Sequence, residues 1–140
     1  MNESELVELY AKTWNTLNPT MIEPYLADDV VYESQKIFTP LVGKEAVCNH
    51  LQGKMQNIKK NRHKSDVYAE IGYCGSQDGN KIQVLSAETF RPCVLMAQGN
   101  PDEVLILILL EVGDGKIKRI DLCTEIPHPS SAMRTGEYPE

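Results

Sequence analysis

The chain has 140 residues, 41% of them hydrophobic and 24% charged, with 14 Lys plus Arg against 20 Asp plus Glu and a net charge of −6. That length suits one domain whose core needs no disulfide staples, and the composition excludes a disordered chain. An acidic balance argues against nucleic acid as the main partner, because phosphate binding rests on a local surplus of cations.

The N-terminus carries Glu3, Glu5 and Glu8 instead of a basic stretch before an apolar one, so no secretory signal is expected. The longest apolar run, Val104 to Leu110, is far shorter than the roughly 20 residues of a membrane span. Cysteines at 48, 74, 93 and 123 form no CxxC pair, and histidines at 50, 63 and 128 are scattered. No metal and no cofactor is therefore expected. Nucleotide loops, zincin motifs and the serine-hydrolase elbow are absent as well. Free thiols fit a cytoplasmic protein.

Leu6, Val7, Tyr10, Trp14 and Leu17 recur at helical spacing and predict a first amphipathic helix. Pro19 ends it and opens a short second helix to about Leu26, with Asn18 as cap. Val30 to Ser34 reads as a strand, and residues 35–42 as a loop containing Phe38. A third helix runs from Gly43 to about Lys60, with Glu45 in its first turn and a basic run, Lys59 to Lys64, as its solvated end. Val47, Leu51, Met55 and Ile58 form its apolar stripe, with His50 beside them.

Beyond residue 64 the period changes, and five strands are expected: Asp66–Cys74, Lys81–Glu88, Cys93–Gln98, Glu103–Val112 and Lys116–Cys123. Turn residues such as Gly113-Asp114-Gly115 join them. Residues 1–126 read as one domain and 127–140 as an extended C-terminal tail. The order implies an α+β domain with helices on one face of an antiparallel sheet. In the strand from 104 to 112, Val104, Ile106, Ile108 and Leu110 face one way, and Leu105, Leu107 and Leu109 the other. Both faces need cover. A second subunit is the favoured cover for the outer one, giving a homodimer through the sheet face. The competing reading is a strongly curved sheet with the tail folded back.

Tyr10 and Trp14, the run Leu26-Ala27-Asp28-Asp29-Val30-Val31-Tyr32-Glu33-Ser34, Gly43-Lys44-Glu45-Ala46-Val47 and Val112-Gly113-Asp114-Gly115-Lys116-Ile117 stand in an order that resembles a known superfamily. It includes nuclear transport factor 2, ketosteroid isomerase, scytalone dehydratase and the SnoaL-type polyketide cyclases. The resemblance implies three N-terminal helices packed on a curved antiparallel sheet, a cystatin-like cone with a pocket, and frequent dimerisation through the sheet.

Against ketosteroid isomerase, the family tyrosine falls on Tyr10. The general base falls on Ser34, which has no proton affinity near neutral pH, and the second oxyanion donor falls within Leu105 to Ile108, where no acid stands. The dehydratase and cyclase patterns use histidine and aspartate pairs; His50 could serve as a pocket residue, or as a hydrogen-bonded core histidine. Its acid partner is harder to place, because the strand alternation puts Asp121 with Arg119 on the outer face, where an intersubunit ion pair is expected. Glu88 is read as a rim acid or a surface residue, and Cys48 and Cys93 as buried small hydrophobes.

The favoured function is binding of a small, largely apolar organic ligand by Tyr10, Trp14, Tyr32, Ser34 and His50, as a lyase or isomerase of polyketide-like or steroid-like compounds. The alternative is a non-enzymatic dimeric interaction domain with a filled pocket. Fold alone does not separate them.

Overall fold

The structure is a computed structural model that describes residues 1–35, 39–62, 66–74, 77–78, 81–82, 91–124 and 132–140. Helix α1 spans Glu3–Thr16. It starts with a capping box, in which the Glu5 N–H donates to the Asn2 side chain at 2.9 Å and the Asn2 N–H to Glu5 at 3.2 Å. Leu6, Val7, Tyr10, Ala11 and Trp14 form its buried stripe. The expected second helix is replaced by two short 3-10 turns, Pro19–Met21 and Glu23–Tyr25, and Asn18 makes no side-chain cap bond. Pro24 explains this, since proline inside a helix removes an N–H and clashes with the preceding turn. Helix α2, Lys44–Lys60, follows Gly43, whose φ of 102° is a glycine conformation.

The strands are β1 (Leu26–Ser34), β2 (Leu41–Val42), β3 (Val67–Cys74), β4 (Gln77–Asp78), β5 (Lys81–Ile82), β6 (Arg91–Gln98), β7 (Val104–Gly113), β8 (Lys116–Cys123) and β9 (Ala132–Arg134). Of the strand expected over Lys81–Glu88, residues 83–88, and Glu88 with them, lie outside the described residues, as do Phe38, His63, Lys64 and residues 125–131.

The expected sheet, curled into a cone, is corrected by the strand order. Seven strands pair as β2-β1-β8-β7-β6-β3-β9 in a sheet that is not closed or strongly curled, and β4 and β5 pair separately. The sheet is also mixed, because β1 runs parallel to β8 while the other neighbours are antiparallel. Its edges are strands of two and three residues, β2 and β9. Such short edges do not zip onto one another, and seven strands can stay open without splitting.

α1 and α2 cover one face of this sheet, burying Tyr32, Ala69, Val94, Ile108, Leu110, Ile117 and Ile120 with the helix stripes. On the other face Cys74, Cys93, Leu95, Leu107, Leu109 and Cys123 are packed together and at most 2% exposed. The cover that Leu107 and Leu109 require is thus already present in a single chain. Two bulges change the expected alternation. Met96 pairs with Ile106 and Ala97 with Val104, so Leu105 is an extra residue on β7. Val104 consequently packs with the outer cluster and not with Ile106. Likewise Glu111 faces Arg119 and Val112 faces Ile117, leaving Lys118 extra on β8.

β9 lies antiparallel to β3. Arg134 Nε donates to Glu70 Oε1 at 2.8 Å, the Gly136 N–H to Glu70 Oε2 at 2.6 Å, and the Thr135 hydroxyl to the Ile71 carbonyl at 2.6 Å. From the helix side, Asn15 donates to the Ala69 and Pro139 carbonyls, each at 2.8 Å. A carboxylate that is 1% exposed is thereby fully partnered. Among the described residues, no helix is long and apolar enough to cross a membrane.

Candidate functional site

Tyr10 and Trp14 stand one turn apart on α1, and their rings meet edge to face with centroids 6.5 Å apart. On β1, Tyr32 faces the helices, because it pairs with Ile120, whose side chain belongs to the same core. On α2, His50, Lys54 and Ile58 follow one another at four-residue intervals and share a stripe. The His50 ring lies 4.7 Å from that of Tyr32.

These elements enclose a cavity of about 130 Å³. Trp14, Tyr32 and Ile58 wall it, Val67, Met96, Ile106 and Leu122 floor it, and the exposed side chains of Lys54, Gln98 and Leu105 stand where it meets solvent. Leu105 takes part because of its bulge. Of the residues expected from sequence, Trp14 and Tyr32 line the cavity. Tyr10 lies behind Trp14, and His50 lies against Tyr32. Ser34 shares the inward face two residues beyond Tyr32, opposite Leu122, but does not line the cavity. Lys54, one turn after His50 and one before Ile58, was missed by sequence reading.

Among the described residues, four buried side-chain polar atoms lack a hydrogen-bond partner: Glu3 Oε1, the Tyr10 hydroxyl, Trp14 Nε1 and His50 Nε2. Glu3 still has Arg91 Nε at 3.6 Å. The other three belong to the aromatic group beside the cavity. Buried polar groups are nearly always paired, and the Tyr10 and Trp14 side chains do interact with each other.

Burial drives the Tyr10 phenol far above its ordinary pKa; nearby Tyr32 adds to this, and the interaction with the Trp14 indole offsets it. Burial pushes Tyr32 up to about 12. Both phenols stay protonated at any physiological pH and can donate. Burial, and then the Lys54 ammonium, lower the His50 pKa, so the imidazole is neutral near pH 7.

The remaining candidates lie elsewhere. Arg119 bonds to Asp121 at 2.9 Å and also pairs with Glu33, both within the same chain. Burial raises the Asp121 pKa, and Arg119 opposes that rise. Cys93 is buried, with its thiol pushed well up by the hydrogen bond with Cys74 and by burial. Burial also raises half-buried Cys48. Neither is an activated thiolate. Among the described residues no group of three or more metal-ligating side chains converges.

Comparison with known proteins gives no match to any family model and none to a curated protein. Solved structures do match. A SnoaL-like protein of unknown function from Burkholderia thailandensis superposes with a TM-score of 0.57 at 16% identity, covering 86% of this chain and 91% of its own. A nuclear transport factor 2-like protein of unknown function from Mesorhizobium loti gives 0.56 at 12% identity, covering 86% and 88%. A putative polyketide cyclase from Sinorhizobium meliloti gives 0.52 at 15% identity, covering 84% and 93%. The chain shares their fold. Identities this low speak for the fold alone.

Proposed function

We propose that this protein binds a small, largely apolar organic molecule in the cavity between α1, α2 and the inner sheet face. The observation that carries this reading is an apolar cavity walled by the aromatic rings of Trp14 and Tyr32, with the polar side chains of Lys54 and Gln98 at its opening. Apolar walls with a few polar groups are the usual make-up of a small-molecule site. A volume of about 130 Å³ is close to the ~150 Å³ that takes benzene in an engineered cavity. A single ring or a short branched chain therefore fits inside it.

Lyase or isomerase chemistry, the class suggested by the likeness to a putative polyketide cyclase, would need a group that moves a proton, and His50, neutral and packed against Tyr32, is the histidine among the described residues. The interaction-domain alternative is less well supported, because its argument rested on Leu107 and Leu109 lacking cover, and one chain supplies it.

Trp14 is the single tryptophan, so its fluorescence reports on the cavity directly. Single-ring fragments such as benzyl alcohol and phenol are expected to change its emission saturably. A fragment set that leaves Trp14 emission unchanged at millimolar concentration would remove this reading.

A further inference from the structure

The cavity's polar equipment is one-sided. Lys54 is the one charged residue among the described residues that line it, and no carboxylate is among them. Lys54 also has no ion-pair partner among the described residues. Gln98 adds an amide at the solvent side. Because Lys54 shares the α2 stripe with Ile58, its aliphatic stem can cover the apolar opening while its ammonium stays in water.

Building on the ligand-pocket reading above, we propose that the cavity selects an apolar molecule bearing an anionic group, a carboxylate in the simplest case, with the hydrocarbon inside and the charge against Lys54. A carboxylate offers only acceptors, which matches the donor-only ammonium of Lys54. A neutral alcohol forgoes the charge-assisted bond, and an ammonium would face Lys54 across the opening. The apolar part is limited to about one ring by the volume of the cavity, about 130 Å³.

The test compares benzoate with benzyl alcohol and benzylamine, which share the ring and differ in the charge of the head. Each is titrated into nitrogen-15-labelled full chain at pH 7 and low salt, following the Trp14 indole N–H resonance. Benzoate is expected to bind about three- to fivefold more tightly than benzyl alcohol, the upper scale of a solvent-exposed ion pair. Lys54→Gln, an exposed substitution outside the core, is expected to bring the two within about twofold. Benzyl alcohol or benzylamine binding as tightly as benzoate, or a benzoate preference surviving in Lys54→Gln, overturns the anion assignment and leaves the pocket standing. If none of the three moves the indole resonance, the pocket reading fails and the anion assignment with it.

Discussion

The His50 imidazole packs on the Tyr32 ring at 4.7 Å with a tilt of 59°, joining the middle of α2 to the inward face of β1. The contact withdraws the imidazole from water while Lys54, one turn away, opposes its protonation. A proton-detected titration should therefore place His50 below the ordinary histidine value of about 6.5. The unfolded chain then binds more protons than the folded one between the two pKa values. Stability from this residue is complete above the unfolded value and is lost as pH falls through the folded one. Melting temperature should drop more steeply from pH 7.5 to 5.5 in the native protein than in His50→Gln. A His50 that titrates above the ordinary value would contradict the described environment.

Tyr10 is fully buried, yet its hydroxyl has no hydrogen bond. Tyr10→Phe removes an unpaired polar atom and keeps the ring, so the variant should be as stable as the parent or gain up to about 1 kcal/mol in urea unfolding. A loss above about 1 kcal/mol would mean that the hydroxyl has a partner worth keeping.

Arg134 and the Gly136 N–H together satisfy the Glu70 carboxylate. Arg134→Ala leaves a buried carboxylate with one bond fewer and should cost about 2–3 kcal/mol, discounted because the guanidinium is partly exposed. Adding Glu70→Gln to that variant should recover part of the loss. Urea midpoints of the parent, two single variants and the double variant measure the coupling.

Gly72 sits where β3 passes under Leu95. A Cβ built there would lie 2.6 Å and 2.8 Å from Leu95 carbons and 3.2 Å from the Met133 carbonyl oxygen. Leu95 is itself buried, so Gly72→Ala should cost about 1–3 kcal/mol through overpacking. Gly72→Ala combined with Leu95→Ala should fall short of the sum of the two single losses, since the second change removes the clash.

The helices and β8 could be read from the chain because their signals are local: the Leu6 to Trp14 stripe, Glu45 and Lys59 at opposite ends of α2, and the turn before Lys116. The shortfall in the second helix was local too, for Pro24 stands inside it. Other features depend on residues far apart. Nothing near Tyr32 announces that β1 will lie parallel to β8, and nothing near Leu105 announces its bulge, because each arises from pairing with a distant strand. Trp14 and Tyr32 stood out on the first helix and first strand and both line the cavity, whereas Tyr10 and His50, named with them, stand behind. Lys54 did not stand out, since a lysine on a helix next to a solvated run looks like ordinary surface.

The parallel pairing of β1 with β8 carries a kinetic consequence. Leu26 meets Ile117 and Ser34 meets Leu122, so each pairing spans most of the chain. Contacts this distant in sequence form late, after the local β7–β8 hairpin offers an edge. During synthesis from the N-terminus, Tyr32 exists long before the strand that holds it, while the hairpin needs only neighbouring residues. Substitutions along β1 should therefore speed unfolding and spare the folding rate, whereas changes at the Gly113-Asp114-Gly115 turn should slow folding itself.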